Sequence, residues 1–174
     1  NMFAQGISAQ VARFTTQDFA LHLRDAMRGG RNDAHRVTAI TALALLLRRN
    51  PKVLHKIVDK PTLKYILSQF SDMRSRTLQP GLTIMNLVLY HGRHMSNNVK
   101  EVRNMLIAST GILATLTKCL EISPAQGNVR GQLLLSIRLL LDDNPRLIAA
   151  CCNSKLPHIL QRLSPKILGN VEKN

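Results

Sequence analysis

Apolar residues recur at spacings of three and four through most of the chain, a pattern that predicts amphipathic helices. One such segment begins after Asn32-Asp33, which can cap a helix, and runs to Arg49. Asn50-Pro51 and then Pro61 open two further helices, because Pro is favoured in a first helical turn. No segment shows sustained period-two alternation, and no Asn-Gly or Asp-Gly hairpin turn occurs. The sequence therefore predicts an all-α fold.

The order of a long, a short and a medium-length helix then repeats along the chain. A long helix is predicted from Pro80 to His91, where Gly92 suits the left-handed conformation that often follows a helix end. The helices predicted after it cover 96–108, 111–121, 128–142, 144–152 and 156–163.

Part of the first cycle recurs 94 residues later in the sequence. Leu45–Leu54 reappears as Leu139–Ile148, with the Asn-Pro pair in the same place. A middle copy lies at intervals of 50 and 44 residues, measured at Ile57, Ile107 and Cys151. Recurrence at such intervals is typical of stacked helical units that share one core.

The cycles predict a single elongated domain over residues 1–174, which we expect to be part of a longer protein. At its front, an early helix carries Phe3, Ile7 and Val11, and Thr15-Thr16 caps the next one. The predicted units are an incomplete first repeat over 1–31, repeats over 32–71, 77–122 and 126–164, and a polar tail over 165–174.

The three-helix cycle resembles the armadillo repeat, with the two-helix HEAT repeat as a near neighbour. The resemblance rests on Leu45–Leu54, Ile57–Leu63 and Ile107–Leu113, and it covers the chain from about Thr15 to Leu163. It implies a right-handed α-solenoid, or superhelix, of about four repeats. In the armadillo family the third helices line a concave groove, where an Asn holds the backbone of a bound peptide. The equivalent positions here are Ala44, Asn86 and Arg138, and only Asn86 keeps the family residue.

Composition narrows the functional classes. The net charge of +14 favours acidic partners. The three cysteines do not form a disulfide framework, the first residues lack the basic region and long apolar stretch typical of a signal peptide, and no apolar run reaches membrane-spanning length. We therefore expect a cytoplasmic protein, with the nucleus or the cytoskeleton as alternatives.

Catalytic chemistry finds little support in the sequence. Cys151 and Cys152 fall where the first copy has Ile57 and Val58, so we interpret them as small core residues. His91 and His94 have no further metal-ligating residues nearby, and a phosphate-binding loop is absent. We expect no enzyme activity, no cofactor and no metal.

The third-helix face is the better candidate for function. Residues three or four positions beyond Ala44 and Asn86 lie on the same helix faces as these two, and Arg138 occupies the third equivalent position itself. Together with the turn that follows Asn86 and its helix, these positions predict a partner-binding surface. Its members would be Arg48, Asn86, Tyr90, Arg93 and Arg138. Arginine can grip carboxylates in a bidentate manner and tyrosine is a common interface anchor.

The sequence thus predicts a protein-interaction scaffold that binds an acidic segment on its concave face or through its end repeats. Met2, Phe3 and Ile7 would leave an apolar N-terminal end that could form a homodimer. The alternatives are nucleic-acid binding through the basic surface, and binding to an acidic cytoskeletal surface such as tubulin.

Overall fold

The computed structural model describes residues 2–71, 76–123, 128–142 and 144–168, with side chains described over 16–71, 76–123, 128–142 and 144–163. All regular structure in these ranges is helical, which confirms the all-α prediction. Short 3₁₀ segments occupy Pro51–Val53, Gln69–Ser71 and Gly92–His94. The α-helices are α1 Met2–Gly29, α2 Asp33–Arg49, α3 Leu54–Ile57, α4 Lys60–Ser68, α5 Leu78–His91, α6 Asn97–Ala108, α7 Thr110–Ile122, α8 Asn128–Leu141, α9 Pro145–Cys152 and α10 Leu156–Leu168.

Two of the predicted caps form as expected. The Asn32 side chain accepts a hydrogen bond from the His35 backbone N–H at 2.9 Å, and the Asn144 side chain accepts one from the Leu147 N–H at 3.2 Å. Asn50 makes no such bond, because the chain after it enters a 3₁₀ turn before α3 begins. The two Asn-Pro junctions therefore share a sequence but differ in local structure.

Both ends of the chain are more helical than the sequence indicated. The break expected at Thr15-Thr16 is absent, since α1 runs unbroken from Met2 to Gly29. No Pro interrupts this stretch, and Thr lowers helix stability only slightly, so nothing forces a break. At the other end, α10 continues to Leu168 and so includes the first residues of the segment predicted as a polar tail. The apolar N-terminal end proposed for dimerisation lies outside the described side chains.

The left-handed conformation expected at Gly92 is also absent. Gly92 has φ −60°, an ordinary right-handed value, and opens a 3₁₀ turn. Close packing explains why this position is a glycine, because a Cβ added to Gly92 would lie 3.0 Å from Cδ and 3.1 Å from Cβ of Arg103. The Arg103 side chain crosses this point and donates from Nε to the Leu89 carbonyl at 3.0 Å.

The helices pack in three sets, which we call rows. In the first row, α5 packs between α2 and α8. The second row contains α1, α4, α7 and α10, with α4 reaching α7 through the 3₁₀ turn at Gln69–Ser71. The third row contains α3, α6 and α9, of which α3 and α6 pack together. Side chains link its members, since Asn98 donates to the His55 carbonyl and Asn144 to the Ile107 carbonyl, both at 2.8 Å.

One aliphatic core runs through the rows, and its burial pattern corrects the repeat register. Ile40, Leu43 and Leu47 of α2 are fully buried, and so are Leu133, Ser136 and Leu140 of α8. These sets lie 93 residues apart, whereas the Asn-Pro pairs lie 94 apart. The additional residue therefore falls between Leu140 and Asn144, at the end of α8. A shift of one residue turns a helical position by about 100°.

Among the described residues, no single helix is long and apolar enough to cross a membrane. Taken together, α6 and α7 meet the length and composition criteria, but they are bent by 68° where they join.

Candidate partner-binding groove

A groove of about 500 Å³ lies on the first row, between the end of α5 and the facing side of α8. Three of the five residues predicted from the sequence line it, namely Tyr90, Arg93 and Arg138. Tyr90 is 65% exposed and its ring meets the His91 ring edge-on, with centroids 4.9 Å apart. An exposed aromatic ring in a groove that two arginines also line is a feature of binding surfaces more than of cores.

The lining of the groove also includes apolar side chains. Leu135 of α8 is 42% exposed, and Met95, after the turn that follows α5, lines the groove too. The lining therefore combines Tyr90, Met95 and Leu135 with the basic side chains of Arg93 and Arg138. Such a lining can take an apolar side chain together with anionic groups.

The Arg93 guanidinium is anchored across the groove. Its Nη2 donates to the Asp142 carboxylate at 2.8 Å, which links the turn after α5 to the end of α8. About half of the Asp142 side chain is exposed, so the pair lies at the rim of the groove. The pairing fixes Arg93 in position without removing it from solvent.

Asn86 is placed differently from the other predicted residues. It is only 6% exposed, and its Nδ2 donates to the Gln132 carbonyl at 3.2 Å and to Gln132 Oε1 at 2.9 Å. Its Oδ1 accepts a hydrogen bond from Ser136 Oγ at 2.6 Å. These bonds fasten α5 to α8, so the Asn86 side chain is engaged within the fold.

The repeat register explains why Arg138 reaches the surface. By burial, the counterpart of Ala44 and Asn86 in α8 is Ile137, which is 3% exposed. Arg138 lies one residue further on and is exposed. Arg48 is exposed on α2, the next helix of the row, and does not line the groove.

Two basic hollows at the Asn-Pro junctions were missed in the sequence. One of about 740 Å³ is lined by Arg49, Asn50 and Lys52, and one of about 610 Å³ by Arg103, Asn144 and Arg146. Arg93 and Asp142 line the second hollow as well as the groove. The signal was present, because Lys52 and Arg146 occupy matching places in the 94-residue echo.

Cys119 and Cys151 lack the surroundings of a nucleophile, and Cys152 is exposed, so the prediction that it is a core residue is wrong. Burial raises the pKa of the Cys119 thiol, which hydrogen-bonds to the Phe70 carbonyl at 3.4 Å. Burial, and then the neighbouring Cys152, raises the pKa of Cys151. A reactive thiol needs the opposite shift. Over the described residues, no group of three or more His, Cys, Asp or Glu side chains could hold a metal ion.

Comparison with known proteins gives remote relatives. The chain is 26% identical over 159 residues to "Serine/threonine-protein kinase ULK4" of Mus musculus, which covers 91% of the chain and 11% of that protein. It is 27% identical over 173 residues to "Serine/threonine-protein kinase RUNKEL" of Arabidopsis thaliana, covering 94% of the chain and 12% of that protein. The chain thus spans a small part of each relative. No family model and no solved structure matches it.

Proposed function

We propose that this chain is a non-enzymatic protein-interaction domain that binds an acidic segment of a partner protein in the groove at Tyr90. The observation that carries the proposal is the exposed Tyr90 ring in a groove that Arg93 and Arg138 also line. Arginine side chains grip carboxylates in a bidentate manner, and the net charge of +14 draws an acidic partner toward the surface.

The scaffold in this proposal is a right-handed solenoid of armadillo-like repeats. Its support is the packing of the helices in three rows, in which α2, α5 and α8 follow one another as neighbours. The side-chain hydrogen bonds from Asn98 to His55 and from Asn144 to Ile107 join successive members of the third row. Solenoids use such extended faces for binding.

The two relatives are named as kinases, but the chain matches only 11% and 12% of their length. The question is therefore whether the matched part is the catalytic domain. A kinase catalytic domain carries a Gly-x-Gly-x-x-Gly loop, a His-Arg-Asp catalytic loop and an Asp-Phe-Gly motif. The sequence has none of these; its nearest approach is Asp18-Phe19-Ala20. We therefore assign the chain to an accessory, partner-binding region of a kinase-like protein.

The proposal is tested by direct titration with a synthetic peptide that has a Leu flanked by Glu residues. Tyr90→Ala/Arg138→Ala should weaken binding about tenfold, as expected for the loss of an aromatic anchor and one charged contact. The matched control is Ile122→Ala/Lys118→Ala on α7, which removes an exposed apolar and an exposed basic side chain elsewhere.

Equal affinity of wild type and the Tyr90→Ala/Arg138→Ala variant would overturn the proposal. Proteins captured from cell extract by wild type and the control, but lost from the variant, would identify the partner. Repeating the capture after nuclease treatment tests the alternative class, since partners held through nucleic acid would disappear.

A further inference from the structure

The two basic hollows lie on the same edge of the molecule. Each forms where a first-row helix ends and a short helix begins, at the Asn-Pro junction after α2 and at the one after α8. The α5 and α8 ends meet through the Arg93–Asp142 pair. On the other side, α3 packs against α6, so the α2 and α5 ends also face the same way.

Each junction carries a cation directly after its proline. Lys52 follows Pro51 in a three-residue 3₁₀ turn, and Arg146 follows Pro145 in the first turn of α9. The two residues occupy matching places of the 94-residue echo. In α9 the partial positive charge of the helix N-terminus favours acidic side chains, so local electrostatics do not explain the arginine there.

Both cations are also available to a ligand. Lys52 and Arg146 are exposed, and neither forms an ion pair with any described residue. Between them lie His94 and Arg93, the latter paired with Asp142. Lys52 and Arg146 therefore place positive charge at the two ends of this edge.

The packing sets the distance between the two hollows. Neighbouring helices lie about 8–10 Å apart, so the two steps from α2 to α8 span about 16–20 Å. An extended chain rises about 3.3 Å per residue, and about five or six residues cover that span.

We propose that this edge binds an extended acidic segment of a partner protein, with one carboxylate group at Lys52 and another at Arg146, about five or six residues apart. The inference rests on the proposed function and specifies the segment that the chain recognises. It adds Lys52 and Arg146 as specificity-determining residues, with the Arg93–Asp142 pair joining this edge to the groove at Tyr90.

The test uses labelled synthetic peptides in which two single Glu residues are separated by two, five or ten Pro residues, because Pro-rich spacers are semi-rigid and extend by about 3.1 Å per residue. Wild type should bind the five-residue spacer tightest. Lys52→Glu and Arg146→Glu should each weaken that binding about fivefold and abolish the spacer preference, because an attraction becomes a repulsion. Lys64→Glu on α4 and Arg162→Glu on α10 make the same charge change elsewhere and should cost less than about twofold.

Equal binding of all spacers by wild type would overturn the inference, as would control variants that lose as much affinity as Lys52→Glu. A single-stranded oligonucleotide whose binding falls in the same way with Lys52→Glu and Arg146→Glu would assign the edge to nucleic acid instead. Thermal melting of each variant verifies folding, and a peptide with Lys in place of one Glu should restore binding to Arg146→Glu.

The outcome separates this inference from the proposed function. If Tyr90→Ala/Arg138→Ala has no effect while the spacer preference persists, binding along the edge is supported and binding in the groove is refuted. If the variant loses all binding while wild type shows no spacer preference, binding in the groove is supported and binding along the edge is refuted.

Discussion

Arg93 and Asp142 form an ion pair with 2.8 Å between Nη2 and Oδ2, although 49 residues separate them in the sequence. The pair joins the turn after α5 to the end of α8, and both residues line the groove at Tyr90 as well as the hollow at Arg146. The two surfaces therefore share a wall, and the pair holds an arginine on that wall in a fixed pose.

Asp142→Ala should strengthen binding of an acidic peptide. The substitution removes the carboxylate that competes with a ligand for Arg93, and we expect a gain of about two- to fivefold in affinity. Stability should change by less than about 1 kcal/mol, because the pair is exposed to solvent. Titration at two salt concentrations measures the effect, with Glu121→Ala on α7 as the control of equal charge change. A weaker affinity of Asp142→Ala would show that holding the Arg93 guanidinium in place contributes more to peptide binding than releasing it from the Asp142 carboxylate.

Asn86→Ala should destabilise the fold. The substitution removes three hydrogen bonds between α5 and α8 and leaves groups of Gln132 and Ser136 to find other partners. Ser136 retains its bond to the Gln132 carbonyl at 2.9 Å, which limits the damage. We expect a loss of about 2 kcal/mol in the free energy of unfolding, measured by urea titration.

Gln79→Ala, at an exposed position of α5, is the matched control and should change stability by less than about 0.5 kcal/mol. If Asn86→Ala instead keeps full stability and loses peptide binding, Asn86 contacts the ligand and its assignment to the fold is wrong.

Much of the fold could be predicted because helices are encoded locally. The caps at Asn32 and Asn144 and the spacing of the apolar residues were visible in the sequence. The register of the repeats was harder to predict. Aligning the two copies at their Asn-Pro pairs without a gap shifts α8 by one residue relative to the alignment of the buried residues. That residue decides whether Ile137 or Arg138 faces the core, and only packing reveals it.

The candidate site was predicted in part for the same reason. Tyr90, Arg93 and Arg138 lie together, but Asn86 is buried because its partners Gln132 and Ser136 come from a helix 46 to 50 residues away. Contacts at that separation leave no local pattern. The basic hollows depend on which helix ends meet, so charge alone did not indicate them.

Asp59 should make stability depend on pH in the acid range. It caps α4 by accepting from the Thr62 N–H at 2.7 Å, and it lies 3.8 Å from Arg24 and 3.7 Å from Arg28 of α1. Burial alone would raise its pKa, but hydrogen bonding from Thr62 and the two arginines outweigh burial and lower the pKa. Stability from this group is therefore complete above its unfolded pKa of about 3.9 and is lost as the pH falls through the lower folded value.

Asp59→Asn retains a capping side chain and removes the charge, so it tests the electrostatic contribution of Asp59 to the free energy of unfolding. At pH 7 the variant should be less stable than wild type by up to about 1 kcal/mol, since the pairs are partly exposed. Below about pH 4 the difference should shrink as the wild-type carboxylate becomes protonated. Urea midpoints from pH 7 to pH 3 measure it, and a gap that widens in acid would contradict the assignment.

Gly92→Ala and Gly131→Ala should have opposite effects on stability. Gly92 has a helical φ of −60°, so alanine costs nothing in the backbone, but its Cβ would lie 3.0 Å from Arg103 Cδ. We expect a loss of about 1–2 kcal/mol, because Arg103 must move from its bond to the Leu89 carbonyl. A Cβ on Gly131 of α8 would meet no described atom within 4 Å, and alanine there should add about 0.5–1 kcal/mol. Thermal melting distinguishes the two, and a stabilised Gly92→Ala variant would show that Arg103 gives way freely.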